Sequence, residues 1–424
     1  MASTRRDALR VIGGAALLAL GGCATAPRGR ATPRLVVVGG GYGGATAARY
    51  AAMLGGERVD VTLVERNGAF ISCPLSNLVL GGNLAIDELT VGYEALAKRL
   101  RLVHDEAVAV DPQRRRVRLA RGDDLPYDRL ILSPGIDFFF DRIRGLETAA
   151  ARERFPHAWR AGPQIVALRR RLEAMPDGGV FAISIPRAPY RCPPAPYERA
   201  CQVAWYFRRA KPRSKVLVLD ANEEVQAQKS LFATAWRDDY RGIVEYRAEC
   251  VLTEIDPSTG TASFEVADDV TADVLNIIPP HGAGNIARSA GAITANGQWC
   301  EVDFLTFESM KVPNVHVLGD AIQTAPLMAK AGQIANQHGK VCAAAVLALL
   351  DERPFDDAAA LTNSCYSFVD DREAGHIKSM HRYDKNRKTF VALPEAADVS
   401  ATKSARDGKE AFVWWNAIRA DMLS

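Results

Sequence analysis

The run RLVVVGGGYGGATAARYAAML, residues 34 to 54, constrains the fold more than any other stretch. Strand-forming residues lead into Gly39-x-Gly41-x-x-Gly44, and an alanine-rich helical pattern follows. The next apolar run, VDVTLVE, ends in Glu65, 21 residues after Gly44. Glycines allow a tight turn and a close approach of backbone to pyrophosphate, and the helix N-terminus stabilises the phosphate charge. The acid after the second strand accepts hydrogen bonds from ribose hydroxyls. A glycine triplet alone is a weak sign. With strand, helix and acid in register it defines a dinucleotide-binding βαβ unit with Gly39, Gly41, Gly44 and Glu65 as cofactor-binding residues.

Two distant segments extend this site. YDRLILSPG, residues 127 to 135, is an apolar strand entering a small-residue turn, and VPNVHVLGDA ends another strand at Gly319-Asp320. Asp320 is placed to accept hydrogen bonds from the ribityl or pyrophosphate end of a long cofactor. The small-residue helix that follows points a positive N-terminal end at the electron-rich edge of a flavin. Together the segments resemble the two-dinucleotide-domain flavoprotein reductases, which implies FAD. The expected fold class is α/β, with two Rossmann-like dinucleotide-binding domains and a C-terminal flavin-covering or interface domain. The expected bounds are an FAD-binding domain at 32–155 and 290–350, a second dinucleotide-like domain at 156–289 and a C-terminal domain at 351–424.

The second domain carries an anomaly. VFAISIP leads into PYRCPPAPYERAC, residues 189 to 201, then a helical run and KVLVLD, ending in Asp220. The unit has its strands, helix and acid, but prolines and a cysteine stand where glycines belong. Proline has no N–H to donate and fixes φ near −65°. A nicotinamide site is therefore not expected here, and electrons must enter by another route.

Composition narrows the setting. The net charge is +3, but residues 1–31 hold five arginines against one aspartate, so the remainder stands at about −1 and no nucleic-acid partner is expected. Thr4-Arg5-Arg6 precedes the short apolar run VIGGAALLALGG, which resembles a twin-arginine export signal over 1–31 and implies a periplasmic protein. LGGC, ending at Cys23, also fits a lipoprotein cleavage site. Two mature forms are open: soluble, cut near residues 26–31, or held at a membrane by a lipid on Cys23. The eight cysteines include no C-x-x-C pair and no C-x-x-C-H, so neither a metal site nor a haem attached to this chain is expected.

Cys73 lies in FISCPLSNLVLGG, Cys192 in the proline-rich loop and Cys365 in TNSCYSFVD. Here the resemblance becomes specific. SCPLSNLVLGG, RCPPAPYERA, NIIPPHGAG, WCEVDFLTFES, SCYS and WWNAIRAD all resemble the flavoprotein subunit of flavocytochrome c sulfide dehydrogenase, over nearly the whole mature chain. That resemblance implies FAD bound covalently through Cys73, a redox disulfide between Cys192 and Cys365, and a proton-handling Glu198. It implies oxidation of hydrogen sulfide to sulfur or polysulfide, with electrons passed to haem c on a separate c-type cytochrome subunit or soluble cytochrome c. Cys201, Cys250, Cys300 and Cys342 read as structural thiols. Trp414 and Trp415 either cover the flavin, face the cytochrome or anchor the C-terminus, and residues 395–411 read as a polar loop. Sulfide:quinone oxidoreductase is the alternative function, with an NADH-dependent disulfide or persulfide reductase and a non-catalytic flavin-binding partner behind it.

Overall fold

The computed structural model of the chain describes residues 31–354 and 357–424. Residues 1–30, with nearly all of the export segment and Cys23, lie outside the described residues. Residues 33–424 form one compact unit.

Its first layer is a five-stranded parallel sheet ordered Val315–Val317, Arg129–Leu132, Arg34–Val38, Asp60–Val64, Arg101–Val103. The strands Arg34–Val38 and Asp60–Val64 are buried after their first residue, as expected where helices cover both faces of a parallel sheet. The order reverses at Arg34–Val38, and ligands of open α/β sheets bind at such a switch point. The glycine loop lies there, followed by the helix Tyr42–Gly55. This helix packs on Gly332–Leu350, whose Gly339 approaches the Gly43 carbonyl so closely that a Cβ would lie 2.5 Å from it.

The second parallel sheet has the order Val244–Arg247, Lys215–Asp220, Val180–Ile185, Val274–Ile277. Its switch point is filled by the proline-rich loop, from which the helix Ala195–Ala210 departs. The C-terminal region is an antiparallel sheet of Ala360–Phe368, Ala374–Asp384, Thr389–Ala392 and Asp398–Val399, followed by the helix Ala405–Leu423. That helix corrects the loop expected over 395–411: Ser404 accepts a hydrogen bond from the Asp407 N–H at 3.0 Å and caps a helix that starts inside it.

Trp414 and Trp415 anchor this helix. Trp414 donates to Gln333 Oε1 at 2.8 Å and stacks on Tyr42 at 6.4 Å, while Trp415 stacks on Phe70 at 6.3 Å. Lys403 forms ion pairs with Asp239, Asp370 and Glu373, tying the C-terminal region to the second sheet's layer.

Candidate functional site

At the first switch point the glycines do what their positions require. Gly39 has φ +98° and sits against the Ser133 carbonyl, where a Cβ would come within 2.3 Å. A Cβ on Gly44 would meet the Gly39 carbonyl at 1.9 Å, so the helix can approach the strand only without one. Gly41 differs: no protein atom lies within 4 Å of a Cβ built on it. That open cradle is space for a ligand. Glu65 accepts from the Gly40 N–H at 2.6 Å and from Asn67 N and Nδ2 at 2.8 and 2.6 Å. Oε1 takes both Asn67 donors, while Oε2, with only the Gly40 N–H, keeps a lone pair for a ribose hydroxyl.

Gly319, at φ +73°, turns the chain after Val315–Val317. The next residue, Asp320, has an enclosed Oδ1 with no hydrogen-bond partner. Burial raises its pKa, while Arg191 and Lys330 oppose that shift. An enclosed carboxylate oxygen without a donor is costly and fits a ligand hydroxyl. These residues fit FAD.

The three half-buried cysteines, Cys73, Cys192 and Cys365, gather beside this cradle, whereas Cys201, Cys250, Cys300 and Cys342 are fully buried. All seven are free thiols, so the disulfide expected between Cys192 and Cys365 is not formed in this structure. Their common neighbour is Tyr42, whose phenol shares a hydrogen bond with Ser72 Oγ at 2.6 Å. Burial raises the Tyr42 pKa, and charges on Cys73, Cys192 and Cys365 raise it further. Cys73 Sγ accepts from the Ala161 N–H at 3.3 Å. Cys365 donates to Asn363 Oδ1 at 3.5 Å, two residues away on the same face of its strand. Burial pushes the Cys365 thiol up to about 11 and Cys192 well above its ordinary value, with the charges of Cys365 and Glu198 adding to the rise at Cys192.

Glu198 is buried, with both carboxylate oxygens engaged. Oε2 accepts from Asn77 Nδ2 at 2.7 Å, and Oε1 accepts from the Phe368 N–H at 2.9 Å, three residues beyond Cys365. Burial raises its pKa to about 7, with the two hydrogen bonds and Arg199 pulling the other way. Arg199, 2% exposed, reaches Asn77 Oδ1, Asn276 Oδ1 and the carbonyls of His157 and Ala158 at 2.6–3.0 Å. It thereby holds the 157–161 segment whose Ala161 N–H meets Cys73. Tyr42, Asn77, Arg191 and Arg199 were missed in the sequence, because their roles arise from contacts far along the chain.

The proline-rich loop explains itself at this level. The Cys192 N–H is bonded to the Lys330 carbonyl at 2.9 Å, Ala195 to Cys192, and both Tyr197 and Glu198 to Pro194. Pro193, Pro194 and Pro196 have no N–H to give. Every donor at the start of this helix is missing or spent. Asp220 is spent too, accepting from Tyr197 and Tyr246 hydroxyls at 2.7 and 3.1 Å and from Asn222 N and Nδ2 at 3.0 and 2.7 Å. A cleft of about 470 Å³ remains there, lined by Arg142, Arg187, Pro189, Tyr190, Ala221 and His281. Room survives, but the phosphate-binding N–H groups do not.

Fold and site thus define an FAD-dependent oxidoreductase of the two-dinucleotide-domain type. Residues 33–158 match the pyridine nucleotide-disulphide oxidoreductase family. Residues 165–279 match the central region of the sulfide dehydrogenase [flavocytochrome c] flavoprotein chain, and 357–423 match the flavocytochrome c sulphide dehydrogenase flavin-binding family. The chain belongs to the flavocytochrome c sulfide dehydrogenase flavoprotein family. A sulfide dehydrogenase [flavocytochrome c] flavoprotein chain of Chlorobaculum thiosulfatiphilum is 54% identical over 48 residues, 11% of this chain and 98% of that short sequence. The mitochondrial sulfide:quinone oxidoreductase of Mus musculus is 24% identical over 336 residues, 76% of this chain and 72% of that one. The solved sulfide:quinone oxidoreductase of Aquifex aeolicus superposes with a TM-score of 0.73 at 17% identity over 92% of both chains, a likeness of fold.

Proposed function

We propose that this chain oxidises hydrogen sulfide and delivers the electrons, through FAD, to a c-type cytochrome on a separate chain. The convergence of Cys73, Cys192, Cys365 and Glu198 on the cradle, beside a second loop whose N–H groups are spent, supports this reading. In the oxidised enzyme Cys192 and Cys365 form a disulfide. Hydrosulfide bonds to one of these sulfurs, the S–S bond breaks, and its electron pair leaves on the other cysteine as a thiolate. The proton of hydrosulfide stays on the terminal sulfur of the resulting persulfide. Glu198, with a pKa near neutrality, takes the proton that hydrogen sulfide sheds as it enters. Bound FAD supplies a two-electron acceptor able to pass electrons on singly. Gly39, Gly41, Gly44, Glu65, Gly319 and Asp320 hold it, and Cys73 binds it covalently. The protein is exported by the twin-arginine route and works in the periplasm, soluble or lipid-anchored at Cys23.

A quinone acceptor is the second reading, favoured by the similarity to the mouse sulfide:quinone oxidoreductase. Among the described residues no helix is long and apolar enough to cross a membrane. Cys192→Ser and Cys365→Ser decide the central claim. Each should keep its flavin yet lose rapid anaerobic flavin reduction by sulfide, and peptide mapping of the oxidised parent should find the two cysteines joined. Parent-like reduction in both variants would mean that sulfide does not use this pair. Adding cytochrome c or a soluble quinone to the sulfide-reduced parent separates the two acceptors.

A further inference from the structure

Among the described residues, Arg191 is the one cation beside the cysteines with neither a hydrogen bond nor an ion pair on its charged group. The guanidinia around it are committed. Arg160 pairs with Asp137, and Arg199 with four oxygens. Among the described residues, the Arg191 guanidinium has no hydrogen bond and no ion pair. It lies 6.0 Å from the centre of the Trp159 ring, and its charge acts on Cys73, Cys192 and Asp320. Leaving a half-buried guanidinium without a partner is costly. Such a group is understandable where an anion comes and goes.

Its base is rigid. The Arg191 N–H donates to His281 Nε2 at 2.9 Å, and His281 Nδ1 lies 3.0 Å from the Pro279 carbonyl. The partners assign the tautomer: Nδ1 carries the proton and Nε2 accepts. Burial drops the His281 pKa to about 3, so it stays neutral and keeps that acceptor. The next N–H, on Cys192, is held by the Lys330 carbonyl. Two successive peptide groups therefore fix where the side chain starts.

The other nearby cation is occupied. Lys330 Nζ donates to the carbonyls of Asp320 and Ile322 and sits 3.6 Å from the centre of the Trp299 ring. The remaining groups facing the cysteines are the neutral phenols of Tyr42 and Tyr190 and the acids Glu198 and Asp320. Opening a disulfide with hydrosulfide starts with one negative charge and ends with one, on the released thiolate. Without Arg191, burial, Glu198 and Asp320 act against that charge at both stages.

We propose that Arg191 is the anion-receiving residue of the sulfur centre. It binds incoming hydrosulfide beside Cys192 and keeps the site cationic while the charge moves to a cysteine. This rests on the sulfide-oxidising reading above. In agreement with the placement, Arg191 is the group that pulls the Cys192 thiol back down against burial.

The experiment compares the parent with Arg191→Met and Arg191→Lys, all loaded with FAD. Anaerobic stopped-flow mixing with sulfide gives the half-saturating concentration and limiting rate of flavin reduction. Iodoacetamide labelling of the thiol-reduced proteins, followed by peptide mapping, gives the pH midpoint at Cys192. Arg191→Met should raise half-saturation roughly 10- to 100-fold, the loss of one charge-assisted contact, with a smaller change in limiting rate. Its Cys192 labelling midpoint should move to higher pH, and Arg191→Lys should recover part of both effects. A methionine variant that saturates with sulfide like the parent overturns the proposal. If sulfide fails to reduce the parent flavin, the functional reading falls, and an unchanged labelling midpoint in Arg191→Met then overturns the charge role by itself.

Discussion

Replacing Glu198 by glutamine should change how stability depends on pH, by an amount the structure fixes. The folded carboxyl has a pKa of about 7 against an ordinary value of 4.5. At 1.36 kcal/mol per unit, the difference is about 3 kcal/mol. The sign follows from linkage: between these two values the folded state keeps a proton that the unfolded chain has lost. The group's contribution is fully present below about pH 4.5 and disappears as pH rises through about 7. Glutamine does not titrate. Its own cost is constant: its amide NH₂ must face one of the two donors, Asn77 Nδ2 or the Phe368 N–H, at roughly 1–3 kcal/mol. Glu198→Gln should therefore be the less stable protein near about pH 5 and close the gap, or reverse it, near about pH 8. Urea denaturation of the FAD-loaded proteins at both pH values measures the change in difference, expected at about 2–3 kcal/mol, short of the full amplitude because the unfolded carboxyl is still partly protonated at about pH 5. A difference that stays constant over that range would refute the assignment of the near-neutral group to Glu198. In the same variant, sulfide-dependent flavin reduction should lose an ionisation near about pH 7.

Acid precipitation should leave the flavin on the parent chain and release it from Cys73→Ala; flavin that leaves the parent chain as well removes the covalent link. Gly41→Ala should fold with the parent's melting temperature but bind FAD weakly, since its Cβ meets only ligand space, whereas Gly44→Ala should lose both stability and flavin through its clash with the Gly39 carbonyl. Equal flavin content and melting temperature in the two variants would contradict that distinction. NADH and NADPH should not bleach the flavin on the stopped-flow scale, because the N–H groups and the acid of the second unit are already bonded; saturable bleaching would show that a nucleotide binds despite them.

The parts of this site that could be read from the sequence are those that local chemistry dictates. Gly39, Gly41, Gly44 and Glu65 sit in one βαβ unit, so spacing alone names them. The spent second loop was equally readable, since a proline lacks its N–H in any fold. Cys192 and Cys365 stand 173 residues apart, and only the resemblance to a known family joined them before the structure did so in space. Arg191 and Arg199 look alike as two arginines in a basic stretch. Their difference, one with four oxygen partners and one with none, exists only after the 157–161 segment folds against the helix Ala195–Ala210. The mistaken loop at 395–411 was avoidable: Ser404-x-x-Asp407 is a helix-start pattern, and the Ser404 cap is where the helix begins.

The altered second unit also shows why its fold outlasts its nucleotide chemistry. Its parallel sheet is held by the buried cores of Val180–Ile185 and Lys215–Asp220, none of which depends on a phosphate. The loop at its switch point was therefore free to take another task. Its Cys192 N–H reaches across to Lys330, just before the helix Gly332–Leu350 of the flavin-binding half, which fixes the cysteine against that half. The helix that starts from the loop carries Glu198 and Arg199 side by side, and they point their interactions at different segments. Glu198 fastens the strand bearing Cys365, and Arg199 fastens the segment that contacts Cys73. One turn of helix thus locates all three cysteines relative to each other. On the proposed reading, a two-electron donor that is a single sulfur atom needs no nucleotide cleft. It needs only an electrophilic disulfide, a nearby cation and a proton acceptor. Cys192 with Cys365, Arg191 and Glu198 supply these around the start of the helix Ala195–Ala210.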